Sequence, residues 1–203
     1  MLNYVSGITP PLPSEYQEVE WIGASGTQYI DTGIIVTDYS RWELEFAING
    51  TFWVNTGHGA TTGAYNNQYI FVQINGRSNF QIAYASETKT TTTPYDENVK
   101  HTAIIDAKNL SGKFDYEDFT FSNRITITPI RSIFLFGKNF TSGMSGGARH
   151  NIYSSKIYEN DVLIQDLVPC YRKSDDVIGM YDTVTQTFFT NQGTGTFTKG
   201  QDV

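Results

Sequence analysis

Cysteine is almost absent: the chain of 203 residues has one, Cys170. A single thiol forms no internal disulfide and supports no Cys-rich zinc centre. A chain this long needs neither, because it buries roughly 70% of its unfolded surface on folding. Basic residues are also scarce, 14 Lys and Arg against 21 Asp and Glu, for a formal net charge of −7. That balance excludes a protein held on nucleic acid by phosphate neutralisation. Charge of either sign makes up 17% of the chain, below the ~25% of an average soluble domain. Solvation therefore falls to Thr, Ser, Asn, Gln and Gly. Helix formers are few, with Leu, Ala and Met totalling 19. No run of about 18 apolar residues occurs, so no membrane-spanning helix is expected. Met1 to Pro13 lacks a basic n-region and a continuous apolar stretch, so no secretory signal is expected there.

What is abundant points one way. Ile, Val, Thr, Tyr, Phe and Trp supply 84 residues, and β-branched and aromatic side chains suit a pleated, half-buried surface. Arg41 to Ile48 alternates, with Trp42, Leu44, Phe46 and Ile48 on one face and Arg41, Glu43 and Glu45 on the other. That is the period of a half-buried antiparallel strand. Tyr69 to Ile74 and Phe80 to Tyr84 flank Asn75-Gly76, a hairpin signal. Val99 to Asp106 reads as a strand, and Ile133 to Phe136 as one covered on both faces. Asn151 to Glu159 and Val162 to Leu167 read as a hairpin turning at Asn160-Asp161. Val177 to Tyr181, Thr187 to Thr190 and Gly195 to Thr198 complete the series. Thr88 to Thr93 reads as an exposed connecting loop. About a dozen short strands without helical periods or internal repeats predict an all-β, two-sheet antiparallel sandwich.

Residues 1–13 stand apart, with three of the six prolines (Pro10, Pro11, Pro13) and no periodicity. They read as an extended N-terminal arm leading into a sandwich domain over residues 14–203. Leu2, Tyr4, Ile8, Pro10 and Pro11 are its candidate anchoring residues.

Motifs cluster at the two ends of that domain. Early come Leu12-Pro13-Ser14-Glu15-Tyr16, Val19-Glu20-Trp21-Ile22 and Gly26-Thr27-Gln28-Tyr29-Ile30-Asp31-Thr32-Gly33. Late come Lys156-Ile157-Tyr158, Leu167-Val168-Pro169-Cys170-Tyr171, Ile178-Gly179-Met180-Tyr181-Asp182 and Gly193-Thr194-Gly195-Thr196-Phe197. In this order they resemble the laminin-G-like, concanavalin A-like jelly-roll modules of phage and prophage structural proteins and of gut-bacterial surface proteins. The resemblance implies a jelly roll without a fixed catalytic set, whose usual task is carbohydrate or host-surface recognition. It implies a non-enzymatic virion accessory protein (head fibre, decoration or tail-associated) located on the particle. Its partners would be other virion proteins and host or mucosal glycans, and the chain would be a homo-oligomer. The alternative is a carbohydrate-binding lectin module of a gut-bacterial surface or secreted protein. Physically, the motifs concern folding. Gly193 and Gly195 are expected to take positive φ around Thr194, and Pro169 to mark an edge or a strand terminus.

No catalytic, metal or cofactor site is expected. Glu43 and Glu45 share a strand face roughly 6.5–7 Å apart, but Ala47 and Arg41 break an alternating acidic row. Gly143-Met144-Ser145-Gly146-Gly147 matches a nucleophile elbow in letters, without the following helix. His58, His101 and His150 form no metal-ligand spacing, and the acidic stretches at 115–118 and 174–176 read as solvated turns. Cys170 reads as a buried free thiol. The candidate ligand-binding residues are Trp53, Asn55, His58, Tyr65, Asn66 and Asn67, in a Gly- and Asn-rich segment that offers an aromatic face and amides.

Overall fold

A computed structural model describes residues 12–49, 61–64, 69–75, 79–94, 96–126, 128–140, 143–145, 147 and 149–203. Nineteen strands and no helix occur among them. The strands are β1 Tyr16–Glu18, β2 Ile22–Gly23, β3 Ile30–Ile35, β4 Ser40–Ile48, β5 Thr61–Ala64, β6 Tyr69–Asn75, β7 Asn79–Ala85, β8 Glu87–Pro94, β9 Lys100–Asp106 and β10 Ser111–Phe114. They continue with β11 Glu117–Thr120, β12 Ser132–Leu135, β13 Lys138–Phe140, β14 Gly143–Ser145, β15 His150–Glu159, β16 Val162–Arg172, β17 Val177–Asp182, β18 Thr187–Thr190 and β19 Thr198–Lys199.

They form two sheets. The larger runs β11-β10-β9-β4-β15-β16-β17-β18, with β1 beside β16 and β2 between β15 and β19. The smaller runs β14-β13-β5-β6-β7-β8, and β12 joins β5 to β3. Pairing is antiparallel except between β13 and β5. The inner faces close on one apolar core containing Trp42, Leu44, Phe46 and Ile48 from β4, Ile70, Val72 and Ile74 from β6, and Phe80, Ile82 and Tyr84 from β7. Each large side chain buried there contributes about 1.5–3 kcal/mol. The fold is an all-β sandwich of jelly-roll character.

Much of the expected strand pattern is present. β4 buries the predicted apolar face and leaves Arg41, Glu43 and Glu45 half-exposed. β6 and β7 pair from Tyr69↔Ala85 to Asn75↔Asn79. β15 and β16 turn at Asn160 and Asp161, with φ of 51° and 66°, the left-handed pair that a two-residue hairpin requires.

Three expectations change. Thr88 to Thr93 is not a loop but the body of β8, an edge strand paired to β7. Threonine is β-branched and polar at once, so it builds an edge strand without any apolar alternation to betray it. Pro169 lies inside β16, opposite Met180 of β17. Its carbonyl accepts from Val19 N–H at 3.0 Å, at the seam where β16 exchanges β15 for β1. Its missing N–H faces the same side, so this pair makes one of the two bonds that an antiparallel hydrogen-bonded pair exchanges. Gly195 takes a φ of 76°, but Gly193 is required for a different reason: a Cβ there would stand 1.9 Å from the Thr27 carbonyl oxygen. The arm residues Leu2, Tyr4, Ile8, Pro10 and Pro11 lie outside the described residues.

The domain's ends are knit together. The Glu20 and Gly200 N–H groups donate to the Gln201 and Trp21 carbonyls at 2.9 Å, and Val19 bridges Asp202. This brings the chain's two ends to one corner of the sandwich.

Candidate functional site

At that corner a cleft of about 440 Å³ opens between the β16–β17 turn and the β18–β19 loop, lined by residues from Asp175 to Ile178 and from Thr190 to Phe197. Its floor is Phe197, 4% exposed and part of the core, with Ile178 packed against that core. Its walls are Thr190, Asn191, Gly193, Gly195 and Thr196, and its lip is Asp175 and Asp176.

The wall is held from the other end of the chain. Gln28 is 3% exposed. Its Oε1 accepts from the Ser25 N–H at 2.9 Å and the Thr27 N–H at 3.3 Å, while its Nε2 donates to the Thr196 carbonyl at 3.1 Å. Asn191 completes the loop: its Oδ1 accepts from the Gly193 and Tyr29 N–H groups and its Nδ2 donates to the Gly195 carbonyl at 2.9 Å. Asn191 therefore builds the cleft rather than offering its amide to a ligand. The floor continues inward through Phe136, whose ring centre lies 5.0 Å from Phe197 and 4.8 Å from His150.

The sequence-derived candidates Trp53, Asn55, His58, Tyr65, Asn66 and Asn67 lie outside the described residues. Glu43 and Glu45 sit on the outer face of the larger sheet. Glu43 is 3.1 Å from Arg41 and Glu45 is 2.8 Å from Lys100. Ser145 belongs to β14, opposite Lys138. Cys170 is fully buried, and burial pushes its thiol up to about 12.

Both described histidines are interior. His150 is stacked on Phe136, and burial pushes its ring down to about 3, so it is neutral. His101 packs 4.6 Å from Phe80, and its Nδ1 lies 2.8 Å from the Asp115 carboxylate, which also accepts from the Thr102 N–H. The acidic stretch at 115–118 is thus only in part a solvated turn: Tyr116 and Asp118 are exposed, while Asp115 and Glu117 are engaged. Glu117 accepts from the Thr92 and Thr93 N–H groups at 2.8 Å and from the Thr93 hydroxyl at 2.7 Å. The signal for these roles is faint: Asp115 takes a φ of 50°, a conformation that Asp tolerates better than most residues. Among the described residues, no three His, Cys, Asp or Glu side chains gather as a metal ion would need. No described helix is long and apolar enough to cross a membrane.

Fold and cleft define the class: a β-sandwich with a small-molecule-sized cleft at the corner where its ends meet. No model of a known protein family matches the chain, and no curated protein matches it either.

Proposed function

We propose that the chain is a non-catalytic, lectin-like recognition module, carried as an accessory protein of a phage particle and used for adhesion to host-surface or mucosal glycans. The observation that carries the binding half is the cleft. It joins an apolar floor, Ile178 and Phe197, to hydroxyl and carboxylate groups of Thr190, Thr196 and Asp176. A sugar ring offers the matching pair of surfaces, an apolar C–H face and a rim of hydroxyls. The cleft's volume lies in the range of small-ligand sites, about 300–1,000 Å³. The virion half is supported by the resemblance of the end motifs, which supply Ile178, Gly193, Gly195, Thr196 and Phe197 of the cleft. Head fibre, decoration and tail-associated positions all suit such a module, with neighbouring virion proteins as partners.

A glycan array probed with the purified protein tests the first half, and retention on at least one glycan class is expected. Mass spectrometry of purified particles tests the second, with the chain expected among the virion proteins. Glycan binding without presence in particles would move the assignment to a lectin module of a bacterial surface protein.

A further inference from the structure

We infer that the cleft selects its glycan by charge: it accepts neutral or amino-bearing pyranosides and rejects sugars that carry a carboxylate, with Asp176 as the specificity-determining residue. This rests on the lectin-like reading above and names the ligand class of the same site.

Two carboxylates share the lip, in opposite circumstances. Asp175 is engaged by Arg172, whose Nε and terminal nitrogen donate to its two oxygens at 3.0 and 2.7 Å. That bidentate pair holds the Asp175 carboxyl below the usual carboxylate range and cancels its charge at contact distance. Asp176 follows directly, exposed, with a φ of 55°. Among the described residues no N–H or O–H donates to it. The nearby cations make their closest contacts elsewhere, although the Lys199 ammonium also feels the Asp176 charge. The Lys199 ammonium lies 2.7 Å from Asp202 and 4.7 Å from the Tyr171 ring centre, and Lys173 donates to the Ser14 carbonyl at 2.9 Å. One carboxylate without a hydrogen-bonded or contact ion-pair partner therefore remains at the mouth of the cleft, its charge offset only at longer range by Lys199, in a chain of net charge −7.

Such a carboxylate accepts hydrogen bonds from two sugar hydroxyls or pairs with a sugar ammonium. A ligand carboxylate placed in the cleft meets like-charge repulsion and supplies no donor. At a separation of about 4–5 Å near the surface, that repulsion is worth about tenfold in affinity. It weakens as salt is added.

The test is an amide NMR titration with three probes of one ring type: N-acetylglucosamine, glucosamine and glucuronic acid. The two non-acidic sugars are expected to shift the resonances of Val177, Ile178, Thr190 and Thr196. Glucuronic acid is expected to bind at least tenfold more weakly. Asp176→Asn keeps the side-chain shape and the left-handed backbone, which Asn adopts readily. It should bring glucuronic acid within about twofold of N-acetylglucosamine. Equal affinity for neutral and acidic probes in the unaltered protein, or a gap that persists in Asp176→Asn, overturns the inference. Shifts confined to another part of the molecule overturn this cleft as the seat but leave the lectin reading standing. An absence of shifts with all three probes, together with an empty glycan array, removes both.

Discussion

At one side of the sandwich Glu87 and Glu117 tie the sheets together as charged carboxylates; at the terminal corner Gln28, Asn191 and the uncharged ring of His150 do so without formal charge. In the first region, Glu87 of β8 accepts from the Ser122 and Asn123 N–H groups beyond β11, while Glu117 of β11 accepts from Thr92 and Thr93 of β8. The bonds run both ways across the seam between two edge strands. Hydrogen bonding from Lys89 and then from Ser122 lowers the Glu87 carboxyl. At Glu117 burial acts upward, but the bonds from Thr92 and Thr93 outweigh it and the net displacement is downward. In the second region, amide groups satisfy the backbone, and His150 and Phe136 pack behind Phe197. One region is joined by charged carboxylates; in the other the loop and the stack behind it are held by neutral amides and rings, with ion pairs only at the surface. The two therefore fail differently on acidification, although both bind loops to a common core.

The largest effect is expected at the corner, where the fit is closest. Gly193→Ala places a methyl against the Thr27 carbonyl oxygen at 1.9 Å, with backbone rather than a flexible side chain in the way. We expect a loss of about 3 kcal/mol, or about 6–12 °C in Tm for a domain of this size. A thermal melt at pH 7 checks this, and the loss should change little with salt.

Next comes the neutral ring. The folded pKa of His150 is depressed to about 3 from an ordinary 6.5, so the unfolded chain takes up the proton first. Stability is therefore complete above pH 6.5 and falls as pH drops through the window toward 3. By pH 5 the loss is about 2 kcal/mol. His150→Phe, an aromatic replacement in an aromatic stack, should flatten the urea-midpoint profile between pH 6.5 and 5.

Gln28→Leu tests whether the corner relies on hydrogen bonding or on volume. It leaves the Ser25 and Thr27 N–H groups and the Thr196 carbonyl without their partner and should cost about 2 kcal/mol. If the cleft is the ligand seat, glycan affinity should fall with it, because Thr196 loses its tether.

The smallest effect belongs to the seam. Glu117→Gln keeps one acceptor and removes the charge, for an expected loss of about 1 kcal/mol at pH 7. Both seam carboxyls are depressed below 4.5, so their contribution is present above pH 4.5 and disappears as pH falls further. Hydrogen exchange should show protection at Thr92, Thr93, Ser122 and Asn123 failing only in that lower window. The corner amides of Thr194 and Gln192 should already have weakened by pH 5.

Much of the sheet architecture was legible because it is local. Alternation in Arg41 to Ile48 and the Asn160-Asp161 turn each report on a few consecutive residues, and the backbone obeys them. The cleft was illegible for the opposite reason. Gln28 and Thr196 are 168 residues apart, and an isolated Gln in a turn carries no sign of its distant acceptor. The His101–Asp115 contact and the clasp of Glu117 on Thr92 were hidden likewise, since each depends on which strands become neighbours. β8 was missed because a run of threonines has no apolar period. The motif residues themselves stood out, and their structural role was readable; that Thr27 and Gln28 meet Thr194 and Thr196 was not.

Composition and short-range pattern alone determined that this chain is all-β, that β4 buries Trp42, Leu44, Phe46 and Ile48, and that Cys170 is a buried thiol. Those outcomes follow from side-chain shape and from the two-residue repeat of a pleated strand, which act within a few residues. The tertiary structure alone decided that Gly193 is needed for contact rather than for φ, that Asp175 is neutralised while Asp176 is not, and that His150 stays uncharged. Each of these depends on distance to a group brought near only by sheet pairing, and electrostatic and steric energies are functions of that distance.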